Sequence, residues 1–169
     1  MAKHKLKVGY IGTSISSYFA SEYNQRERAI TGIEKLAEEL DFQLIAVHDE
    51  VMSEEGAARA AQYLKDNEID FLLLQTAGCS LGEQLLPLVK AAPRIGLWAT
   101  PDPEQEGEIK IHSVVSMSHF ASILKRYLKH EEIPFKWFYG HVETEDFQKR
   151  STLPLLLPSP LWEPPGRSL

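Results

Sequence analysis

The stretch Phe71-Leu72-Leu73-Leu74-Gln75-Thr76-Ala77-Gly78-Cys79-Ser80-Leu81-Gly82-Glu83 (FLLLQTAGCSLGE) runs from unbroken apolar residues into small polar ones. A strand that is apolar at every position has both faces covered, which is the signature of a parallel sheet. Leu6 to Gly12 (LKVGYIG), Phe42 to Val47 (FQLIAV), Arg94 to Ala99 (RIGLWA) and Phe135 to Tyr139 (FKWFY) are nearly continuous apolar runs of the same kind. Between them lie helical stripes. Ile30, Ile33, Leu36, Ala37 and Leu40 share one face, and Ala57, Ala60, Ala61 and Leu64 share another, opened by the start signal Ser53-Glu54-Glu55. A third helix is predicted near Glu83 to Ala91. A fourth lies within Ser113 to Lys129, striped by Phe120, Ile123, Leu124, Tyr127 and Leu128. Another helix begins over Glu143 to Arg150.

Alternating strands and amphipathic helices with right-handed crossovers predict a doubly wound, three-layer α/β domain. Its sheet should be mostly parallel and five-stranded, of the flavodoxin or Rossmann kind. The 169 residues suit one domain, and 43% apolar with 25% charged residues is an ordinary globular composition. A formal charge of −6 disfavours nucleic acid as a partner. No run approaches the roughly 18 apolar residues of a membrane span. A single cysteine forms no internal disulfide, which favours a cytoplasmic setting.

Residues 1–150 read as the folded domain, and 151–169 (STLPLLLPSPLWEPPGRSL) as a different kind of segment. It holds five of the ten prolines, and those at 154, 158 and 160 forbid extending the preceding helix. The tail reads as a chain ended early or continued in another frame, with a docking arm as the alternative.

In a doubly wound sheet, ligands bind beyond the carboxyl ends of the strands. The loops to inspect are Thr13 to Tyr18, His48 to Met52, Thr76 to Gly82, Thr100 to Pro103 and Gly140 to Glu143. Gly9-Tyr10-Ile11-Gly12 is not a dinucleotide fingerprint, so the hydroxyls after it are weak phosphate candidates. His48, Asp49 and Glu50 are adjacent at a strand end and point in different directions, so they should not converge on one metal ion. Gln75 stands where a response-regulator receiver would carry an aspartate. Cys79 shows no neighbouring base, although His112, His119 or His141 could approach it in space. His119 lies on a helix with the apolar stripe and reads as a surface or boundary residue; His141, directly after the fifth strand, is better placed for function.

The passage Ile133-Pro134-Phe135-Lys136-Trp137-Phe138-Tyr139-Gly140-His141, preceded by Ser118-His119-Phe120-Ala121, resembles the amino-terminal domain of the L-fucose isomerase family. The L-arabinose isomerases share that architecture. Gly78-Cys79-Ser80-Leu81-Gly82-Glu83 is similar to the family's third-strand loop, and Gly96-Leu97-Trp98 with Thr100-Pro101-Asp102-Pro103 to its fourth strand and exit. The likeness spans about residues 5 to 150. It implies a sugar ketol isomerase, interconverting aldose and ketose with a divalent metal, usually Mn2+. The glutamate, aspartate and histidine that hold that metal belong to other domains of the family. This chain is therefore expected to carry no metal ligand and no catalytic residue, and to be inactive alone. The family's amino-terminal domain lends loop residues to a neighbouring subunit's sugar pocket, which implies a homo-oligomer. Carried over by position, the sugar contacts are Ser14, Ser17 and Tyr18 after the first strand, Gly78, Cys79 and Ser80 after the third, and His141. Cys79 becomes a contact residue rather than a nucleophile. Two departures point away from fucose itself: Ser16 and Ser17 stand where the family has an arginine, and Gly78 where it has an aromatic.

Two alternatives come from binding modules. Ser16-Ser17-Tyr18-Phe19-Ala20 with Ile69-Asp70-Phe71-Leu72-Leu73-Leu74 also resembles one lobe of repressor and periplasmic sugar-binding domains. A flavodoxin-like FMN carrier is the other, and it would be yellow.

Overall fold

The computed structural model describes residues 5–16, 23–103 and 106–149. Five strands, β1 (Lys7–Thr13), β2 (Gln43–Ala46), β3 (Phe71–Thr76), β4 (Ile95–Ala99) and β5 (Phe135–Tyr139), form one sheet in the order β2-β1-β3-β4-β5. Every pairing is parallel. The helices are α1 (Gln25–Leu40), α2 (Glu54–Asp66), α3 (Gly82–Leu88) and α4 (Ser113–Ser122). The doubly wound α/β fold expected from the sequence is the fold observed.

Handedness decides where the helices go. The β1-α1-β2 unit steps one way along the sheet, and the three later units step the other way. Right-handed crossovers then place α1 on one face and α2, α3 and α4 on the opposite face. The strands alternate accordingly. Val8, Tyr10, Phe71, Leu73, Trp98 and Phe138 pack toward α1 with Ala29, Ile33, Leu36 and Phe147. Ile11, Leu72, Leu74, Ile95, Leu97 and Phe135 pack toward α2–α4 with Leu64, Leu85, Leu88, Phe120 and Leu124. Close approach on the α1 side requires Gly32, where an added Cβ would sit 2.0 Å from Val142 Cγ1.

Local signals set the helix ends. Ser53 caps α2, its Oγ accepting from the Gly56 amide at 3.1 Å. Asp41 closes α1 in the left-handed conformation (φ 53°), its N–H returning to the Ala37 carbonyl. α3 is shorter than the expected 83–91. Pro87 removes one helix donor, and Pro93 disfavours the helical conformation for Ala92. The helix predicted over 113–129 is α-helical only to Ser122. There it widens into a π turn, Ile123–Tyr127, with the Leu128 amide donating to the Ile123 carbonyl at 3.0 Å. Residues 145–149 are helical, within the range expected after β5. The tail 151–169 lies outside the described residues.

Candidate functional site

The winding direction reverses between β1 and β3, and a doubly wound sheet opens a crevice at the strand ends of that switch point. Two of the expected loops meet there. The Gly78 amide donates to the Thr13 carbonyl at 3.3 Å, joining the exit of β3 to that of β1. Thr13 Oγ1 and Ser80 Oγ share a buried hydrogen bond of 2.8 Å. The Ser80 amide donates to Ser116 Oγ, on α4, at 2.8 Å. Ser14 Oγ donates to the Glu50 carboxylate at 2.6 Å, drawing in the exit of β2. Gln84, in the first turn of α3 and fully buried, ties these pieces together. Its Nε2 donates to the Ser14 carbonyl (2.7 Å) and the Val51 carbonyl (3.3 Å), and its Oε1 accepts from the Leu81 amide (2.9 Å).

A second layer lies behind this one. Ser113 Oγ donates to the Thr76 carbonyl at 2.5 Å and accepts from the Thr100 amide at 2.9 Å. Thr76 Oγ1 in turn donates to the Ser113 carbonyl at 2.8 Å. The exits of β3 and β4 are thereby tied to the start of α4. Asp102 organises the next loop, its two carboxylate oxygens accepting from the Lys110 and Ile111 amides at 2.9 and 3.0 Å. The result is a rim in which the serine hydroxyls and the loop amides are engaged, while the buried Thr100 Oγ1 has no partner among the described residues; such preorganisation suits a binding platform.

The sequence-derived contacts divide clearly. Ser14, Gly78 and Ser80 meet at the switch point and are buried, with both serine hydroxyls engaged by protein partners. Cys79 is the half-buried side chain between them and forms no disulfide. Ser17 and Tyr18 lie outside the described residues. His141 is elsewhere, beyond β5, two strands from β3 and so about 10 Å along the sheet. His119, on α4, is exposed and lies beside the start of α3: a Cβ on Gly82 would be 3.7 Å from its Cε1. Glu50 accepts from Ser14 Oγ, and it lines, with the exposed His48 and Asp49 and with Arg59 and Tyr63, a cavity of about 420 Å³ beside the end of β2. Among the described residues, no group of three or more His, Cys, Asp or Glu side chains could hold a metal ion.

His141 has its own electrostatics. Partial burial, and then the Arg28 guanidinium, hold its imidazole below the ordinary histidine range, with Glu143 opposing. Glu143 is itself held below the usual carboxylate range. Burial works to raise it, but its backbone hydrogen bond and Arg28, 3.2 Å away, outweigh that. Both folded values lie below their unfolded ones, so both contributions are fully present at high pH and are lost on acidification. For His141 the loss begins as pH falls below about 6.5. Urea midpoints measured from pH 8 to 5 should therefore decline, and H141N should flatten that decline. An unchanged slope in H141N would remove His141 as its source.

Thr13, Glu50, Gln84 and Ser116 complete the platform; Thr13 and Glu50 enter the sequence reading as members of candidate loops, and Gln84 and Ser116 are marked by no motif. The only signal for Gln84 is its position three residues into a helix, from which a side chain can reach back to the preceding amide. Compared with models of protein families and with curated protein sequences, the chain matches none.

Proposed function

We propose that this domain is the residue-lending amino-terminal unit of a sugar ketol isomerase, presenting its β1 and β3 exit loops to a sugar held in a neighbouring subunit. The observation that carries the reading is the locked Thr13–Ser80–Ser116 chain. It fixes the β3 exit loop at the switch point and leaves Cys79 as a half-buried side chain within it. A lent loop needs that stiffness, because a mobile contact loses affinity to ordering entropy. The order of motifs from Gly78 to His141 supports the same assignment. So does the sheet edge: β5 leaves Trp137 and Tyr139 52% and 55% exposed, a surface suited to cover by another domain or subunit.

In such an isomerase a divalent metal polarises the carbonyl and hydroxyl while a carboxylate moves the proton. On this reading other domains hold that ion, and among the described residues no ligand set for it occurs. This domain's own contribution is to bind and orient. The Glu50 carboxylate beside Ser14 weighs against the FMN alternative, since it puts negative charge at the loop a flavin phosphate would use.

The test has two arms. The pure protein with Mn2+ should convert no aldose to ketose, and free aldoses should perturb the amide resonances of residues 15, 16, 79 and 81. Turnover abolished by a chelator would overturn the residue-lending role. Perturbations confined to other loops would overturn the sugar platform, and a yellow protein would move the reading to FMN.

A further inference from the structure

A second polar cluster occupies the carboxyl end of β1, on the α1 face of the sheet, opposite the Thr13–Ser80 contact. Tyr10 Oη donates to Gln75 Oε1 at 2.5 Å, linking β1 to β3. Burial holds the tyrosine pKa well above its ordinary value, so the hydroxyl stays a donor and the Gln75 oxygen is committed to it. Gly12 lies between them. A Cβ there would fall 3.1 Å from Tyr10 Oη and 3.3 Å from Arg26 Cγ, so the Arg26 side chain, from the first turn of α1, covers the same spot.

Donors and acceptors do not balance here. Arg26 Nη2 meets Glu27 at 2.8 Å, but its Nε and Nη1 are buried and have no partner among the described residues. Gln75 is fully buried, and its Nε2 also has no partner among the described residues. Three nitrogen donors on residues that flank Gly12 thus lack an acceptor among the described residues. Buried polar groups are almost always satisfied, and unmatched ones mark a missing partner. A hydroxyl would bring a donor of its own; a cation would be repelled by the guanidinium. The complement is small, acceptor-only and anionic, and the amino end of α1 favours the same sign.

We infer that Arg26 and Gln75 form a pocket for one oxyanion, the phosphate or carboxylate group of a small ligand, at the α1 face of the switch point. It goes beyond the sugar-platform reading and does not depend on it. The experiment titrates inorganic phosphate at constant ionic strength, following Tm and the Arg26 Nε–H resonance of labelled protein. A saturable rise in Tm with movement of that resonance is expected. R26Q should weaken phosphate binding by about tenfold or more, the worth of charge-assisted hydrogen bonds. Q75E keeps the acceptor for Tyr10 and supplies the missing anion from within. It should raise Tm in phosphate-free buffer and abolish the phosphate response. Ribose 5-phosphate and gluconate then distinguish the source: whichever binds tighter names the group, and either outcome supports the pocket. No saturable response in the unaltered protein, or the same response in both variants, would overturn it. No isomerase assay enters, so failure here and failure of the sugar reading are separately visible.

Discussion

Trp98→Ala should cost about 3–5 kcal/mol, the usual range for deleting a buried aromatic, and should bring the domain to the margin of folding. Trp98 is 1% exposed and heads the large fully buried side chains. Its ring meets Tyr10 edge-on at 6.3 Å and Phe147 at 4.9 Å, so it bridges β1, β4 and the helical turn after β5. Its Nε1 donates to the Gly140 carbonyl at 2.9 Å, fixing a residue whose φ of 123° suits glycine. Truncation removes the packing and strips that carbonyl together. Trp98→Phe keeps most of the ring and loses only the donor, so it should cost about 1–3 kcal/mol, of which the hydrogen bond is about 1. Urea unfolding of both variants checks this. A loss under about 1 kcal/mol for the alanine variant would mean that the α1-side core closes over the gap, contrary to close-packed interiors.

Trp98 also illustrates what could be read in advance. After Arg94, RIGLWA is apolar throughout, so its strand and the burial of both faces follow from the pattern alone. The two-residue period then assigns Leu97 and Trp98 to opposite cores, as found. The π turn at 123–127 has no such signature in the sequence. The site was legible by position and illegible by orientation. The switch-point rule brings Ser14 and the 78–80 loop together, yet nothing local says that Ser14 turns to Glu50, 36 residues away, or that Ser80 turns to Thr13, 67 residues away. Arg26 looks like any surface charge in a first helical turn. Yet its inner nitrogens are buried, with its side chain lying over Gly12.

The second large effect is expected at Gln84. Gln84→Leu nearly preserves volume but strands the Ser14 carbonyl oxygen and the Leu81 amide, and takes one of two donors from the Val51 carbonyl, which keeps the Ser14 amide at 3.1 Å. Losing a buried partner costs about 1–3 kcal/mol for the group left behind. These three share one side chain, so a total of about 2–4 kcal/mol is expected rather than their sum. Gln84→Glu separates charge from shape. It keeps an acceptor for Leu81 but sets a carboxylate oxygen against two carbonyls, so its penalty should match or exceed that of leucine at neutral pH. Protonation restores a donor, so that penalty should shrink as pH falls, whereas the leucine penalty should not. Amide exchange locates the damage, because Gln84 joins the exits of β1 and β2 to α3 while the strands pair independently of it. The Gly78, Ser80 and Leu81 amides should exchange faster in both variants, and those of Leu72 to Leu74 should track global stability alone. If the loop amides keep their protection in Gln84→Leu, then the Thr13–Ser80–Ser116 chain holds the platform unaided and Gln84 only fills space.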